Sequence, residues 1–221
     1  MIKAVIFDMD GVLINSERHW QIAERELFGE LGIELTDELL VETRGLRTAE
    51  MVAHWNSRFD LDSVTPEDLM RKYDDRMVHT MRSEVPLMKG AEEAIRFFKD
   101  KKLPVALATC STLIHINAAL EKHDLRKYFD VEVSAALKMQ GKPHPEVYMK
   151  TAELLGIDPT FCLAFEDSFF GVVAAKAARM KVVAMPDKSE FEQARFGAAD
   201  LKIKSLLEIN DGFFKKLQEL Q

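Results

Sequence analysis

Residues 3–11 read Lys-Ala-Val-Ile-Phe-Asp-Met-Asp-Gly, and this stretch decides the fold. Residues 2–7 form a short apolar run with β-branched members, which is typical of a buried strand. The run ends at Asp8 and Asp10, and in open α/β sheets the carboxyl ends of the strands form the ligand-binding edge. Two carboxylates there can hold a cation and leave one oxygen free as a nucleophile. The alternative is a plain turn in which both aspartates only accept hydrogen bonds from nearby backbone N–H groups.

Composition narrows the class of protein. The chain has 221 residues and a formal net charge of −7, with no long block of Lys and Arg, so we expect no nucleic-acid partner. No apolar run approaches the roughly 20 residues of a membrane span, which predicts a cytoplasmic protein without a membrane partner. Cys110 and Cys162 fit neither a disulfide framework nor a metal-binding spacing and suit small core positions. A monomer is the default expectation.

A helical block follows the first strand. Apolar residues recur at spacings of three and four over residues 16–31, and residues 36–42, 48–59 and 66–81 also have helical patterns. The sequence therefore predicts a cap domain over residues 15–87, above the carboxyl edge of the sheet. Pro86 and Gly90 break the helical pattern, so residues 85–90 are the expected return hinge. Residues 1–14 and 88–221 would form the core, and the cap would open and close about the two connections.

Strand and helix patterns alternate after the return. Strands are predicted over residues 104–108, 131–133, 162–165 and 182–185, and helices over residues 91–101, 113–123, 145–155 and 169–178. This rhythm implies parallel strands joined by right-handed crossovers, with helices on both faces. The predicted fold class is α/β, a Rossmann-like parallel sheet with an inserted helical cap.

Polar residues follow several of these strands. In a parallel sheet the carboxyl ends converge, so Asp8, Asp10, Thr109 and Asp167 are expected to meet. Three desolvated carboxylates repel one another, and a divalent cation with oxygen ligands, best Mg²⁺, would resolve the conflict. Lys142 lies in Gly-Lys-Pro-His-Pro, where its positive charge could balance the negative charge of the acids and bind phosphoryl oxygens. The alternative for Lys142 is a solvated surface charge. His144 is expected to be mainly structural, with a role as a ligand or an acid/base group as the alternative.

These motifs together resemble the haloacid dehalogenase superfamily, specifically its phosphatases with a helical cap after the first strand. The resemblance covers essentially the whole chain. It rests on Asp8-Met-Asp10-Gly11, Thr109 after an apolar strand, Lys142 in its Pro-rich loop, and Glu166-Asp167-Ser168 with Gly171, in the right order. Dehalogenases of this superfamily lack the second acid of the first motif. The presence of Asp10 therefore favours phosphoryl chemistry.

The resemblance implies a role for each motif. Asp8 would be the nucleophile that forms an aspartyl-phosphate, and Asp10 would protonate the leaving oxygen and then activate water. Thr109 and Lys142 would bind the phosphoryl group, with Cys110 beside them. Mg²⁺ would be held by the residues that resemble the metal ligands of the family: Asp8, the backbone carbonyl of Asp10, and Asp167, with Glu166 supporting.

The predicted cap carries further substrate-binding candidates, namely Glu17, Trp20, Arg44, Gly45 and Arg47. Their pattern resembles the sugar-phosphate branch, near hexitol phosphatases and β-phosphoglucomutases. We therefore expect a small phosphorylated metabolite, a sugar or sugar-alcohol phosphate, as substrate. The arginines could instead be solvated, and Trp20 could be a core residue on the apolar stripe of its helix.

Two alternative functions are also compatible with these motifs. A β-phosphoglucomutase-like phosphomutase is disfavoured because Trp20 occupies the position at which those mutases place a histidine. A phospho-acceptor signalling module resembling receiver domains would also combine acids, a threonine and a lysine around Mg²⁺. The helical insertion and the Asp-x-Asp motif suit a closed catalytic cleft better.

Overall fold

The fold is built on a parallel sheet in a computed structural model that describes residues 1–43, 46–61, 64–136 and 139–219. Within those ranges the sheet has six strands in the order β3-β2-β1-β4-β5-β6. The strands are β1 (Ala4–Phe7), β2 (Val105–Thr109), β3 (Val131–Ser134), β4 (Cys162–Glu166), β5 (Lys181–Ala184) and β6 (Leu201–Lys202). This confirms the predicted α/β class, although β6 was not predicted.

The first strand lies in the middle of the sheet and is buried on both faces. Phe7 pairs with Leu107 of β2 on one side and with Phe165 of β4 on the other. Side chains alternate along a strand, so Val5 and Phe7 join one apolar cluster while Ala4 and Ile6 join another. The continuous apolar run of the sequence is explained by this double burial.

Helices cover both faces of the sheet. They are α5 (Ala91–Asp100), α6 (Leu113–Lys122), α7 (Glu146–Leu155), α8 (Phe169–Ala177) and α9 (Asp211–Glu219). Phe98 of α5 and Leu217 of α9 belong to the cluster of Phe7, whereas Val147 of α7 and Val172 of α8 belong to the cluster of Ile6. The two layers of helices fix the strands and so the edge at which their polar ends emerge.

A helical segment separates β1 from α5. Its helices are α1 (Glu17–Gly29), α2 (Asp37–Thr43), α3 (Thr48–Phe59) and α4 (Pro66–Ser83), within two residues of the predicted bounds. The start of α4 is fixed by two residues: Pro66 occupies its first turn, and the Thr65 hydroxyl accepts a hydrogen bond from the Asp68 N–H at 3.2 Å. Helix α4 packs against α1 and α3 and also against α6 of the sheet layer. None of the described helices is both long and apolar enough to span a membrane.

The two connections to the helical segment run side by side. Ile14 forms an antiparallel bridge with Leu87. The Asn15 N–H donates to the Pro86 carbonyl at 2.9 Å, and the Met88 N–H donates to the Leu13 carbonyl at 2.9 Å. The chain thus leaves and re-enters the sheet layer at one place, where the sequence predicts the hinge.

Candidate active site

Polar residues from separate strands meet at the carboxyl edge of the sheet. Asp8 follows β1, Thr109 ends β2, and Glu166 and Asp167 lie at the end of β4. Carboxylate oxygens of Asp8, Glu166 and Asp167 lie within 4.8 Å of one another. Asp8, Thr109 and Asp167 line one cavity of about 300 Å³, together with Lys142 and residues of the helical segment.

Asp8 is a buried acid held against a cation. It is only 6% exposed, and its Oδ1 lies 2.8 Å from the Lys142 ammonium. Burial raises the pKa of Asp8 to about 7, because the opposing effect of Lys142 is offset by the neighbouring charges of Glu166 and Asp10. A second cation at this point would favour the ionised, nucleophilic form of the carboxylate.

Lys142 lies inside the acidic cluster. Its Nζ contacts Asp8 Oδ1 at 2.8 Å and Glu166 Oε1 at 2.5 Å, and donates to the Ala108 carbonyl at 3.3 Å. Burial alone would lower the pKa of Lys142, but the two carboxylates raise it well above its usual value, so the ammonium stays charged. The alternative of a solvated surface lysine is therefore wrong.

Glu166 anchors that lysine. Its Oε1 accepts hydrogen bonds from Lys142 Nζ and from the Tyr148 hydroxyl, each at 2.5 Å, and its Oε2 accepts one from the Ser168 hydroxyl at 3.2 Å. A Cβ at Gly171 would lie 2.0 Å from the carboxylate carbon, so a larger residue there would force the Glu166 carboxylate out of its place. Because both oxygens are engaged, Glu166 fits a supporting role better than direct coordination of a metal.

Asp10 lines the same cavity, and three hydrogen bonds fix its carboxylate. Its Oδ1 accepts hydrogen bonds from the Ser16 hydroxyl at 2.6 Å and from Trp20 Nε1 at 2.7 Å. Its Oδ2 accepts one from the Ser111 hydroxyl at 2.6 Å. Ser16 and Trp20 belong to the helical segment, whereas Ser111 follows β2. Both parts of the molecule therefore orient this carboxylate.

The acidic cluster fits a divalent cation. Burial raises the pKa of Asp167 well above its usual value, and Glu166 and Asp8 raise it further, so three acids share one compensating ammonium from Lys142. Gly11, with φ of 70°, leaves the space for Asp167, since a Cβ there would lie 2.1 Å from its Oδ2. An all-oxygen donor set of this kind suits a hard cation, with Asp8 and Asp167 as the better placed ligands.

The remaining predicted residues differ in their surroundings. Glu17, Trp20 and Cys110 line the cavity, and burial raises the pKa of the Cys110 thiol, which keeps it protonated. Arg47 also lines it, but its guanidinium is paired with Glu50 at 2.5 Å and donates to the Met139 carbonyl at 2.7 Å, joining the helical segment to a loop of the sheet layer.

Arg44 and Gly45 lie outside the described residues. His144 is exposed, and its Nδ1 accepts a hydrogen bond from the Glu146 N–H at 3.3 Å, which agrees with a structural role.

Some residues of the site were not predicted. Ser16, Ser111 and Tyr148 hold Asp10 and Glu166, and Glu24 lines the cavity from α1. Ser111 is the one with a sequence signal, because it lies two residues after Thr109 at a strand end. Tyr148 and Glu24 resemble ordinary helix residues in the sequence, and Ser16 resembles an ordinary residue at the start of a helix.

A parallel sheet with a buried acid after its first strand, a buried lysine and an acidic pair at the same edge is typical of hydrolases that process phosphoryl groups. The family model of haloacid dehalogenase-like hydrolases matches residues 5–185, and the chain belongs to this family. It is an enzyme, a hydrolase of the phosphatase type, as the sequence predicts.

Three known proteins illustrate the similarity. Hexitol phosphatase B of Escherichia coli K12 is 37% identical over 209 residues, covering 94% of both chains. The phosphorylated carbohydrates phosphatase of Thermotoga maritima is 35% identical over 182 residues, covering 80% of this chain and 82% of its own. The crystal structure of CbbY from Rhodobacter sphaeroides with phosphate superposes with a TM-score of 0.85 at 27% identity, covering 94% of this chain and 96% of the other.

Proposed function

We propose that the protein is a Mg²⁺-dependent phosphatase that hydrolyses small sugar or sugar-alcohol phosphates through an aspartyl-phosphate on Asp8. One observation carries the proposal: the buried Asp8 carboxylate touches Lys142, and Asp10, two residues further on, is fixed by three donors in the same cavity. The proposed nucleophile and the proposed proton donor thus line the same cavity. The similarity to hexitol phosphatase B supports the substrate class.

In the first step an Asp8 oxygen attacks phosphorus, and the bond from phosphorus to the leaving oxygen breaks. Asp10 donates a proton to that oxygen, so the alcohol leaves in neutral form. Lys142 and the Thr109 hydroxyl bind phosphoryl oxygens, where the lysine charge counters the charge of the transferred group.

In the second step the Asp10 carboxylate accepts a proton from water, and the water oxygen attacks phosphorus. The bond from phosphorus to Asp8 then breaks, which regenerates the Asp8 carboxylate and releases inorganic phosphate. Asp8, Asp167 and the Asp10 carbonyl would hold Mg²⁺, which when bound neutralises phosphoryl charge. Glu166 keeps Lys142 in position.

Residues 15–87 act in this proposal as a cap domain, and residues 1–14 and 88–221 as the core. The paired connections at Ile14 and Leu87 support these boundaries. Cavity residues on both sides support a cap that closes over the substrate, since aspartyl-phosphate chemistry benefits from excluding water. We further propose a cytoplasmic monomer that binds no nucleic acid and no membrane, in line with the composition.

The test is phosphate release from a panel of hexitol, hexose, glycolate and nucleotide monophosphates, with and without Mg²⁺, for wild type and Asp8→Asn. We expect release from a hexitol or hexose phosphate that needs Mg²⁺ and is lost in Asp8→Asn. Conversion of β-glucose 1-phosphate to glucose 6-phosphate without phosphate release would favour the phosphomutase instead. Stable uptake of phosphate from a small donor without turnover would favour the signalling module.

A further inference from the structure

A second buried carboxylate faces the cavity from the helical segment. Glu24 of α1 is 6% exposed, and it lines the same cavity as Asp8 and Lys142. It belongs to none of the four motifs, and the proposed chemistry gives it no task. A buried acid costs free energy unless hydrogen bonds compensate it, so its surroundings need an explanation.

Two hydrogen-bond donors hold one oxygen of this carboxylate. The Thr43 hydroxyl and the Trp55 indole N–H each donate to Glu24 Oε1 at 2.6 Å. Trp55 is fully buried and packs edge-on against Phe28, with 6.3 Å between ring centroids, so the indole cannot easily turn away. Within the described part of the chain no donor reaches Oε2, and this oxygen is left for a molecule bound in the cavity.

We propose that Glu24 is a specificity-determining residue that accepts a hydrogen bond from a hydroxyl of the organic part of the substrate. This inference rests on the proposed function. The helical segment supplies the cavity wall with neutral polar groups at Gln21 and Thr48 and apolar surface at Leu40 and Met51, a mixture that suits a polyhydroxylated carbon chain.

The same carboxylate discriminates by repulsion. A second phosphate or a carboxylate placed against Oε2 would meet a like charge in a desolvated site, whereas a hydroxyl supplies the donor that this oxygen lacks. Glu24 therefore favours neutral polyol groups over bisphosphates and phosphorylated acids.

The test uses Glu24→Gln, which keeps the oxygen that accepts from Thr43 and Trp55 but replaces Oε2 by an amide donor. We would measure kcat/KM for a hexitol 6-phosphate and for n-propyl phosphate, which both release a primary alcohol and differ in the number of hydroxyls on the carbon chain. Should wild type turn over propyl phosphate too slowly to measure, 4-nitrophenyl phosphate replaces it. The matched control is Glu26→Gln, on the same helix with a side chain that is 60% exposed.

We expect the ratio of kcat/KM, hexitol phosphate over propyl phosphate, to fall about 10–100-fold in Glu24→Gln and to stay at the wild-type value in Glu26→Gln. An unchanged ratio in Glu24→Gln overturns the inference, because a purely structural acid would lower both activities together. A wild type that does not prefer the hexitol phosphate also overturns it. If wild type releases no phosphate from any substrate, the proposed function itself fails, which is a separate result.

Discussion

Replacing Trp20 by Phe would test how Asp10 is held. The indole N–H donates to Asp10 Oδ1 at 2.7 Å, and the ring packs on Tyr73 and edge-on against His115, with centroid distances of 5.4 and 5.0 Å. Phenylalanine keeps an aromatic ring in that place and removes the donor. Two donors would remain on Asp10, from Ser16 and Ser111.

A hydrogen bond to a charged group contributes about 1.5–3 kcal/mol. If Trp20 holds Asp10 in the orientation for proton transfer, losing this bond lowers kcat/KM about 10–100-fold, since about 1.4 kcal/mol corresponds to a factor of ten. The free energy of unfolding should fall by only about 1 kcal/mol, because the ring contacts are largely kept.

The assay compares substrates that differ in their need for a proton. An alkoxide leaving group needs the proton of Asp10, whereas 4-nitrophenolate leaves without one, so Trp20→Phe should slow a hexitol phosphate far more than 4-nitrophenyl phosphate. Tyr73→Phe is the matched control, because it removes a 3.2 Å hydrogen bond to the Trp20 carbonyl without touching Asp10. Equal loss on both substrates, or no loss on either, would refute the positioning role.

Further predictions concern the support of the site, the metal and pH. Gly171→Ala should cost about 1–3 kcal/mol of stability in thermal unfolding, because its Cβ would collide with the Glu166 carboxylate; a melting temperature near wild type would contradict this. Tyr148→Phe should lower kcat about tenfold by loosening Glu166 and Lys142, with full folding checked by circular dichroism. Chelation with EDTA should abolish turnover and Mg²⁺ should restore it, whereas activity that survives chelation would exclude a required metal. Burial lowers the pKa of His115 below 6.5 despite the nearby Asp74 and Asp10, so below pH 6.5 the unfolded chain binds a proton that the folded protein does not. The free energy of unfolding should therefore fall as pH drops below 6.5, by at most about 1.4 kcal/mol per pH unit. His115→Asn should flatten that slope in denaturant titrations between pH 5.5 and 7.5.

The sequence predicts the sheet well because its signal is local. Buried parallel strands are short apolar runs, and the residues that follow them stand out as polar, which places Asp8, Thr109 and Asp167 at one edge. The last strand, Leu201–Lys202, has only two residues and too little pattern to detect. Helix bounds differ by up to two residues, as at Gly29, where α1 ends before the predicted residue 31.

The supporting residues of the site are harder to predict, because their contacts link distant parts of the chain. Ser111 reaches Asp10 across 101 residues, and no periodicity encodes such a contact. Trp20 is an example: its spacing on α1 predicts a core residue and the family resemblance implies a sugar contact, yet the structure also gives its indole N–H a hydrogen bond to Asp10. The burial of Lys142 likewise depends on Glu166 and Tyr148, which tertiary packing brings to it.

The hydrogen bonds of Asp10 connect chemistry with cap position. Ser16 lies beside the first connection and Trp20 lies in α1, so any motion that moves α1 away from the sheet edge would remove two of the three donors to this carboxylate at once. Ser111 would remain, but a single donor on Oδ2 leaves the carboxylate free to rotate. Opening would also separate Arg47 from the Met139 carbonyl of the sheet layer. In the proposed mechanism proton transfer would then be efficient only while the cap is closed, when bulk water is excluded, and an open enzyme could exchange substrate and product with its proton donor out of position.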